Sequence, residues 1–275
     1  MDGVGSARRS LLSEKMLTLP CHHRIRDIWR HPLPDRASKR SDRIVIKTMA
    51  WICNRYVVDI ENGLDALALP EDPFIVVLNH SQRIEAVAVP TLLMYYRGGR
   101  PVHFMADWNF LMMPVVAQLY RKAETIIVTN KSAKPKFLNM FKPLFREERP
   151  AFERALDHLR AGASVGIFPE GTINRNPHRL MRGLPGAAGL ALRSGVKVIP
   201  VGIRFPYLDP AKPISDGAKM SLHVGKPLVP PNELGIADPT RHQITEFHHH
   251  IMTELAEVSG KSWDPHANKR RKYVL

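Results

Sequence analysis

A histidine followed five residues later by a carboxylate is the first pattern in this sequence that could do chemistry. The apolar, β-branched run at residues 74–78 ends abruptly at Asn79, and His80 and Glu85 follow. The run predicts a buried strand, and in open α/β sheets ligands bind in the crevice beyond the carboxyl ends of the strands. A histidine with a carboxylate partner in that crevice is suited to act as a general base.

A second motif follows another apolar stretch later in the chain. The strand predicted at residues 164–168 runs into Pro169, Glu170, Gly171 and Thr172. Because ligand sites gather at the carboxyl ends of parallel strands, we expect this motif to converge with His80 at one edge of the sheet. The glycine allows the backbone to approach a ligand closely.

The spacing of His80 and Glu85 constrains how the two side chains can meet. Residues five apart on one regular helix point about 140° away from each other. The imidazole and the carboxylate therefore meet only if His80 lies in the turn and Glu85 in the first part of the following helix. The predicted order of strand, turn and helix permits this arrangement. The alternative is that His80 caps the helix and Glu85 is a surface charge.

The two motifs, in this order and about ninety residues apart, together resemble those of the lysophospholipid acyltransferase family, typified by 1-acylglycerol-3-phosphate acyltransferases. The resemblance covers residues 73–205. It implies transfer of a fatty acyl group from a thioester to a hydroxyl or an amine of a lysophospholipid or related lipid. His80 would be the general base, and Glu85 would orient the imidazole and stabilise its cation.

The same resemblance implies which residues contact substrate. The block that contains Glu170 is assigned to the acceptor, and an intermediate block lies at residues 125–131. The residues expected to bind substrate are Ser81, Asn130, Lys131, Glu170, Gly171, Thr172, Arg175 and Arg182. Acyl-CoA or acyl carrier protein would supply the acyl group, and neither a metal nor an organic cofactor is implied.

Three places depart from the pattern of that family. After Thr172 the family often has arginine and serine, whereas this chain has Ile173 and Asn174. Glu85 stands where the family has aspartate, which keeps the carboxylate and adds one methylene of reach. Asn130 aligns with an arginine expected near the acceptor phosphate, and an amide cannot bind phosphate as a guanidinium does. The motifs therefore do not determine the identity of the acceptor. The basic side chains that could bind its phosphate in place of the missing arginine are Lys131, Arg175, Arg179 and Arg182.

Three other interpretations compete with acyl transfer. A thioesterase would use the same base with water in place of the acceptor. A nucleic-acid-binding module would account for the positive charge, but the basic residues are dispersed and no recognition motif is present. Ser164 lies in a Gly-x-Ser-x-Gly pattern, but the predicted order of helix, turn and strand differs from the strand-to-helix elbow of a nucleophilic serine.

The composition of the chain indicates the charge of its partners and the cellular compartment in which it works. The 275 residues carry a formal net charge of +14, which favours anionic partners such as lipid surfaces and acidic thioester donors. Cys21 and Cys53 lack the spacing of a metal site or disulfide framework, which is typical of a reducing cytoplasm. No stretch approaches the roughly 20 apolar residues of a spanning helix. We therefore expect a cytoplasmic protein associated peripherally with the inner face of the membrane.

Strands that alternate with helices predict an α/β fold with a mostly parallel central sheet flanked by helices. We expect a single acyltransferase domain at residues 41–262. A basic, loosely ordered arm at residues 1–40 would precede it, and a basic tail at residues 263–275 would follow it.

Three elements of this predicted fold bear on function. An amphipathic helix at residues 42–60 would lie either in lipid headgroups or against the core. The apolar helix at residues 108–119 would form either a wall for the acyl chain or part of the core. Residues 220–224 are predicted to form an edge strand.

Overall fold

The computed structural model describes residues 25–34, 40–61, 71–112, 114–129, 136–145 and 147–266. Its α-helices are α1 (Ile25–Arg30), α2 (Arg40–Cys53), α3 (Glu85–Tyr96), α4 (Pro114–Lys122), α5 (Ala151–Arg160), α6 (Gly186–Ser194) and α7 (Arg241–Ser259). Two 3₁₀ helices span Trp108–Met112 and Lys136–Phe145. The strands are β1 (Val57–Glu61), β2 (Ile75–Leu78), β3 (His103–Asp107), β4 (Ile126–Val128), β5 (Val165–Ile167), β6 (Val198–Arg204) and β7 (Met220–Val224).

The seven strands of these described segments form one sheet in the order β1-β7-β6-β2-β5-β3-β4. Paired strands are parallel except β6 and β7, which are antiparallel. Val76 of β2 lies beside Gly166 of β5 on one side and Ile199 of β6 on the other. The predicted α/β class with a mostly parallel sheet is confirmed. Because β2 is central, the residues that follow it lie near the middle of the carboxyl edge.

Residues 220–224 do form a strand, but the prediction that it lies at the edge is wrong. Strand β7 lies between β6 and β1, with Val57 paired to Met220 and Ile60 to Leu222. The predicted helix at residues 42–60 is also wrong in its second half, because α2 ends at Cys53 and β1 begins at Val57. The run that starts at Val57 is rich in β-branched residues, which suit a strand that packs against a neighbour.

The apolar face of α2 lies against the core. Ile46, Ala50 and Cys53 are buried in one cluster with side chains of α3. The same cluster holds Ile28 of α1, which is fully buried. Of the two alternatives for this amphipathic helix, packing against the core is therefore the one observed.

Helices cover both faces of the sheet, and the alternation of side chains along β2 shows how. Val76 and Leu78 point to the face covered by α2 and α3. Ile75 and Val77 point to the opposite face, where they pack with α5, α6 and α7. Successive residues of a strand point to opposite faces, so this continuous apolar run is buried on both sides. The core thereby holds β2 rigidly beneath the turn that carries His80.

The apolar stretch predicted as one helix at residues 108–119 is divided into a 3₁₀ helix and α4. Proline is favoured at the first position of a helix, and Pro114 occupies that position in α4. Trp108, Val116 and Tyr120 are buried together with Ile127 of β4. The stretch is therefore part of a core cluster. Among the helices described, none is long and apolar enough to cross a membrane.

Candidate active site

His80 and Glu85 meet at the carboxyl end of β2. The imidazole Nδ1 of His80 lies 3.0 Å from Oε2 of Glu85, and the backbone N–H of Ser81 donates to the same oxygen at 2.7 Å. Glu85 is the first residue of α3 and is fully buried, whereas the His80 side chain is 13% exposed. A carboxylate at Nδ1 favours the tautomer that carries its proton there. The other ring nitrogen, Nε2, is then available to accept a proton.

The turn that presents His80 is fixed at both ends by amide side chains. Asn79 donates from Nδ2 to the backbone oxygen of Ile203 at 3.0 Å and accepts from the backbone N–H of Ile203 at 2.7 Å. Gln82 accepts from the backbone N–H of Gly217 at 2.7 Å and donates to the oxygen of Ala218 at 2.9 Å. Buried amides that are paired in this way hold the backbone in one conformation.

Glu170 joins the second motif to this turn. Its Oε1 accepts from the backbone N–H of His80 at 3.0 Å, and its Oε2 accepts from Asn174 Nδ2 at 2.7 Å and from the backbone N–H of Met181 at 2.9 Å. Burial raises the pKa of Glu170, although these hydrogen bonds act to lower it. The two motifs therefore converge, and Glu170 holds the backbone of the histidine turn.

An aromatic ring borders the imidazole. The ring of Phe168 lies 4.6 Å from that of His80 between centroids and 5.7 Å from that of Phe104. Phe104 in turn lies against Gly166, where an added Cβ would stand 2.6 Å from the ring. The glycine in β5 therefore makes room for the aromatic side chains beside His80.

Gly171 and Thr172, which are also predicted to bind the acceptor, follow Glu170 in the loop after β5. Gly171 has a φ of +66°, a conformation that side chains with a Cβ rarely adopt, and a Cβ there would also lie 3.1 Å from Leu184. Thr172 follows it and is partly buried. Ser81 is fully buried beside His80.

The basic residues predicted to bind substrate differ in their contacts and in their exposure. Arg175 donates from Nη2 to Asp216 Oδ2 at 2.6 Å and from Nη1 to the backbone oxygen of Ile214 at 2.6 Å. Its guanidinium is therefore engaged in bracing a loop. Arg182 is exposed. Asn130 and Lys131 lie outside the described residues.

Lys261 is a residue of this site that the sequence analysis missed. It is 7% exposed, and its Nζ donates to Ser81 Oγ at 2.9 Å and to the backbone oxygen of Asn176 at 2.8 Å. Burial lowers the pKa of Lys261, while the nearby carboxylates of Glu170 and Glu85 act to raise it. A single lysine after a helix carries no sequence signal that distinguishes it from a solvated surface lysine.

The competing nucleophile, Ser164, lies just before β5 and is buried. Its Oγ accepts from the backbone N–H of Phe74 at 3.0 Å and donates to Asp72. It therefore bridges two segments at the amino end of the sheet. Among the described residues there is no cluster of three or more His, Cys, Asp or Glu side chains that could hold a metal ion.

The chain is similar to known acyltransferases in sequence and in fold. The family model described as Acyltransferase matches residues 58–204. A chloroplastic 1-acyl-sn-glycerol-3-phosphate acyltransferase of Arabidopsis thaliana is 26% identical over 146 residues, which make up 53% of this chain and 35% of that protein. A chloroplastic enzyme of the same description from Brassica napus is 26% identical over 176 residues, which make up 62% of this chain and 45% of that protein.

The matched region thus spans less than half the length of either plant relative. The crystal structure of PlsC, the 1-acyl-sn-glycerophosphate (LPA) acyltransferase of Thermotoga maritima, aligns with a TM-score of 0.52 at 16% identity, over 82% of this chain and 83% of that one. At that identity the likeness concerns the fold. The family model covers more than half of the chain and includes both motifs that meet around His80, and on this evidence the chain belongs to the Acyltransferase family.

Proposed function

We propose that this protein transfers a fatty acyl group from an acyl-CoA or acyl carrier protein thioester to a hydroxyl, or an amine, of a lysophospholipid or related lipid. The observation that carries the proposal is the His80–Glu85 pair, held by Glu170 at the carboxyl edge of the sheet. The plant relatives are named as acyltransferases that act on 1-acyl-sn-glycerol 3-phosphate, which supports an acceptor of this class.

The proposed reaction is direct attack of the acceptor on the thioester. His80 Nε2 removes the proton of the acceptor hydroxyl as its oxygen bonds to the thioester carbonyl carbon. The imidazolium formed is stabilised by Glu85, whose carboxylate lies at Nδ1. The tetrahedral intermediate then collapses with cleavage of the carbon–sulfur bond, and the proton passes from His80 to the departing thiolate. The products are the acylated lipid and the free thiol.

We divide the predicted substrate-binding residues according to the contacts that each side chain already makes within the protein. Ser81 and Glu170 bond to protein groups around His80, so we assign them to holding the site in shape. Gly171 and Thr172 remain candidates for contact with the acceptor. For the anionic part of the acceptor we propose Arg182, which is exposed, and Lys131, because the guanidinium of Arg175 is engaged with Asp216.

We further propose that the protein works at the cytoplasmic face of an anionic membrane, as a peripheral protein. The formal charge of +14 supports this proposal. Exposed apolar side chains on the second 3₁₀ helix, Phe137, Met140 and Leu144, support it as well. A lipid acceptor would be reached from that surface.

The proposal is tested by measuring thioester consumption against a panel of lysolipids, with mass spectrometry of the products. We expect consumption to depend on one acceptor class and to yield its acylated form. Release of free fatty acid without an acylated product would show that the protein is a thioesterase instead.

The base is tested by His80→Ala. Loss of a general base typically lowers rates by about 10²- to 10⁴-fold, and we expect at least this loss with an unchanged circular dichroism spectrum. Turnover of His80→Ala at the wild-type rate would contradict the mechanism.

A further inference from the structure

A lysine from the far end of the chain reaches the turn that carries the proposed base. Lys261 follows α7, and its ammonium group contacts Ser81 Oγ and the backbone oxygen of Asn176. Burying an ammonium group costs free energy unless it is paired and hydrogen-bonded. Lys261, at 7% exposure, meets this requirement through these two hydrogen bonds, so its ammonium group is fixed in place.

The two acceptors of Lys261 belong to the two segments that surround His80. Ser81 is the next residue in the chain, and its backbone N–H donates to Glu85. Asn176 lies in the loop whose residue Asn174 donates from its backbone N–H to the backbone oxygen of His80 at 2.7 Å. One ammonium group thus ties together the segments that fix the backbone and the carboxylate partner of the base.

Charge is the second reason to connect Lys261 with the base. Three charged side chains are tied to the turn that carries His80: Glu85 bonds to its imidazole, Glu170 to its backbone N–H, and Lys261 to Ser81. Both carboxylates are buried, and both interact electrostatically with Lys261. The ammonium group of Lys261 therefore lies among the carboxylates that orient the imidazole and hold its backbone.

We propose that Lys261 is a positioning residue for acyl transfer. Its ammonium group holds Ser81 and the loop that contains Asn176 in place, and so fixes the turn that sets His80 against Glu85. The residue lies beyond the segment 58–204 that the family model matches. The inference rests on the proposed function, since it takes His80 to be the general base.

The first test compares Lys261→Met with the wild type, and uses Lys212→Met, at an exposed lysine, as the matched control. Because a misplaced catalytic group lowers turnover by up to about 10²-fold, we expect kcat of Lys261→Met to fall roughly 10- to 100-fold with little change in KM. Lys261→Arg, which can still donate hydrogen bonds from a charged group, should retain more activity than Lys261→Met. Wild-type kcat in Lys261→Met would overturn the proposal.

The second test separates charge from packing. A cavity of about 580 Å³ is lined in part by Lys261, Arg204 and Tyr207, and gives small molecules a route to the position. In Lys261→Ala we expect propylammonium to restore activity, and propanol, which has the same size but no charge, to restore none. Equal rescue by both would show that Lys261 only fills space, which overturns the proposed role of its ammonium group.

The third test needs no substrate and so distinguishes this proposal from the proposed function. Protein labelled with ¹³C at its histidines, with the His80 signal assigned by its loss in His80→Ala, reports the surroundings of the imidazole directly. We expect the His80 signal to be displaced in Lys261→Met and unchanged in Lys212→Met, because the turn no longer holds the ring in its wild-type position against Glu85. If the wild type transfers no acyl group but this displacement appears, acyl transfer fails and the positioning role of Lys261 stands. An unmoved His80 signal in Lys261→Met would overturn that role.

Discussion

The carboxylate of Glu85 does two tasks with one oxygen atom. Oε2 contacts both the imidazole of His80 and the backbone N–H of Ser81, whereas Oε1 is buried without a hydrogen-bond partner in the described part of the chain. Glu85 begins α3, so its side chain must reach back over the turn to meet both groups. The extra methylene relative to aspartate provides that reach.

The residue-scale prediction compares Glu85→Gln with Glu85→Asp. The glutamine keeps the length of the side chain but cannot stabilise an imidazolium, so we expect kcat to fall by about 10²-fold or more. The aspartate keeps the charge and should retain more activity than the glutamine. Initial rates at saturating thioester, measured across pH, provide the comparison. A glutamine variant with wild-type kcat would contradict the assigned role of Glu85.

The sequence predicted the site only where its residues are close to a strand end. His80, Glu85 and Glu170 follow apolar strands, and parallel strands bring such residues together. Lys261 is 180 residues from Ser81 in the chain, and nothing in its local sequence indicates that pairing. It is brought to the site by α7 packing against the sheet, which is a tertiary contact. Local patterns therefore identified the reacting groups but not this buried cation.

At the scale of elements, the helical spacing of apolar residues predicted the wrong end for α2. Apolar residues recur at helical spacing from Ile46 to Val57, although the helix ends at Cys53. The strand β1 forms because β7 offers it a parallel partner, and that pairing joins residues more than 150 positions apart. The edge position of β1, and the interior position of β7, depend on this contact and could not be read from either segment alone.

The second 3₁₀ helix, Lys136–Phe145, has an exposed apolar ridge, defined here as Phe137, Met140 and Leu144. These side chains are 67%, 72% and 78% exposed. Leu138, Phe141 and Phe145 pack against the Trp108 cluster. Residues 131–146 of the sequence contain four lysines and one arginine and no acidic residue. Apolar side chains beside basic ones fit the headgroup layer of an anionic bilayer.

The element-scale prediction is that this ridge binds anionic lipid. Each exposed side chain contributes about 1 kcal/mol on partial burial in lipid, so replacing all three by serine should weaken binding roughly 100-fold. Co-sedimentation with phosphatidylglycerol vesicles measures the loss, with phosphatidylcholine vesicles as the neutral comparison. Leu234→Ser, at a residue that is 95% exposed elsewhere, is the matched control. Equal binding by the triple variant and the wild type would exclude the ridge as the membrane-binding surface.

At the scale of the whole molecule, the two ends of the parallel strands have different roles. The carboxyl end of β2 leads to His80. Near the amino end, Asp72 bonds to Arg97 and Arg100 beyond α3 and accepts from Ser164 before β5. This polar cluster joins the segment before β2 to a helix end and a neighbouring strand. The alternation of strands and helices predicted the layers of helix and sheet. It did not indicate which polar groups would connect them at the amino end of the strands.

Asp72→Asn should therefore destabilise the fold without changing the chemistry. Burial acts to raise the pKa of Asp72, but Ser164, Arg97 and Arg100 outweigh it and hold the pKa below its ordinary value. A lowered pKa stabilises the fold above the unfolded value of about 3.9, and the benefit is lost as pH falls through the folded pKa. Hydrogen bonds to charged groups contribute about 1.5–3 kcal/mol, so we expect a loss of roughly that size at pH 7.

Urea denaturation from pH 7 to pH 3 measures the free energy of unfolding, with the exposed Asp238→Asn as control. The difference between Asp72→Asn and the wild type should be full at pH 7 and shrink below about pH 4, where the carboxyl of the unfolded chain takes up a proton while the folded one is still charged. Because Asp72 lies at the end of the sheet opposite His80, kcat should stay at the wild-type value at temperatures where the variant is folded. A fall in kcat without a loss of stability would show that the two ends of the sheet are coupled and do not have separate roles.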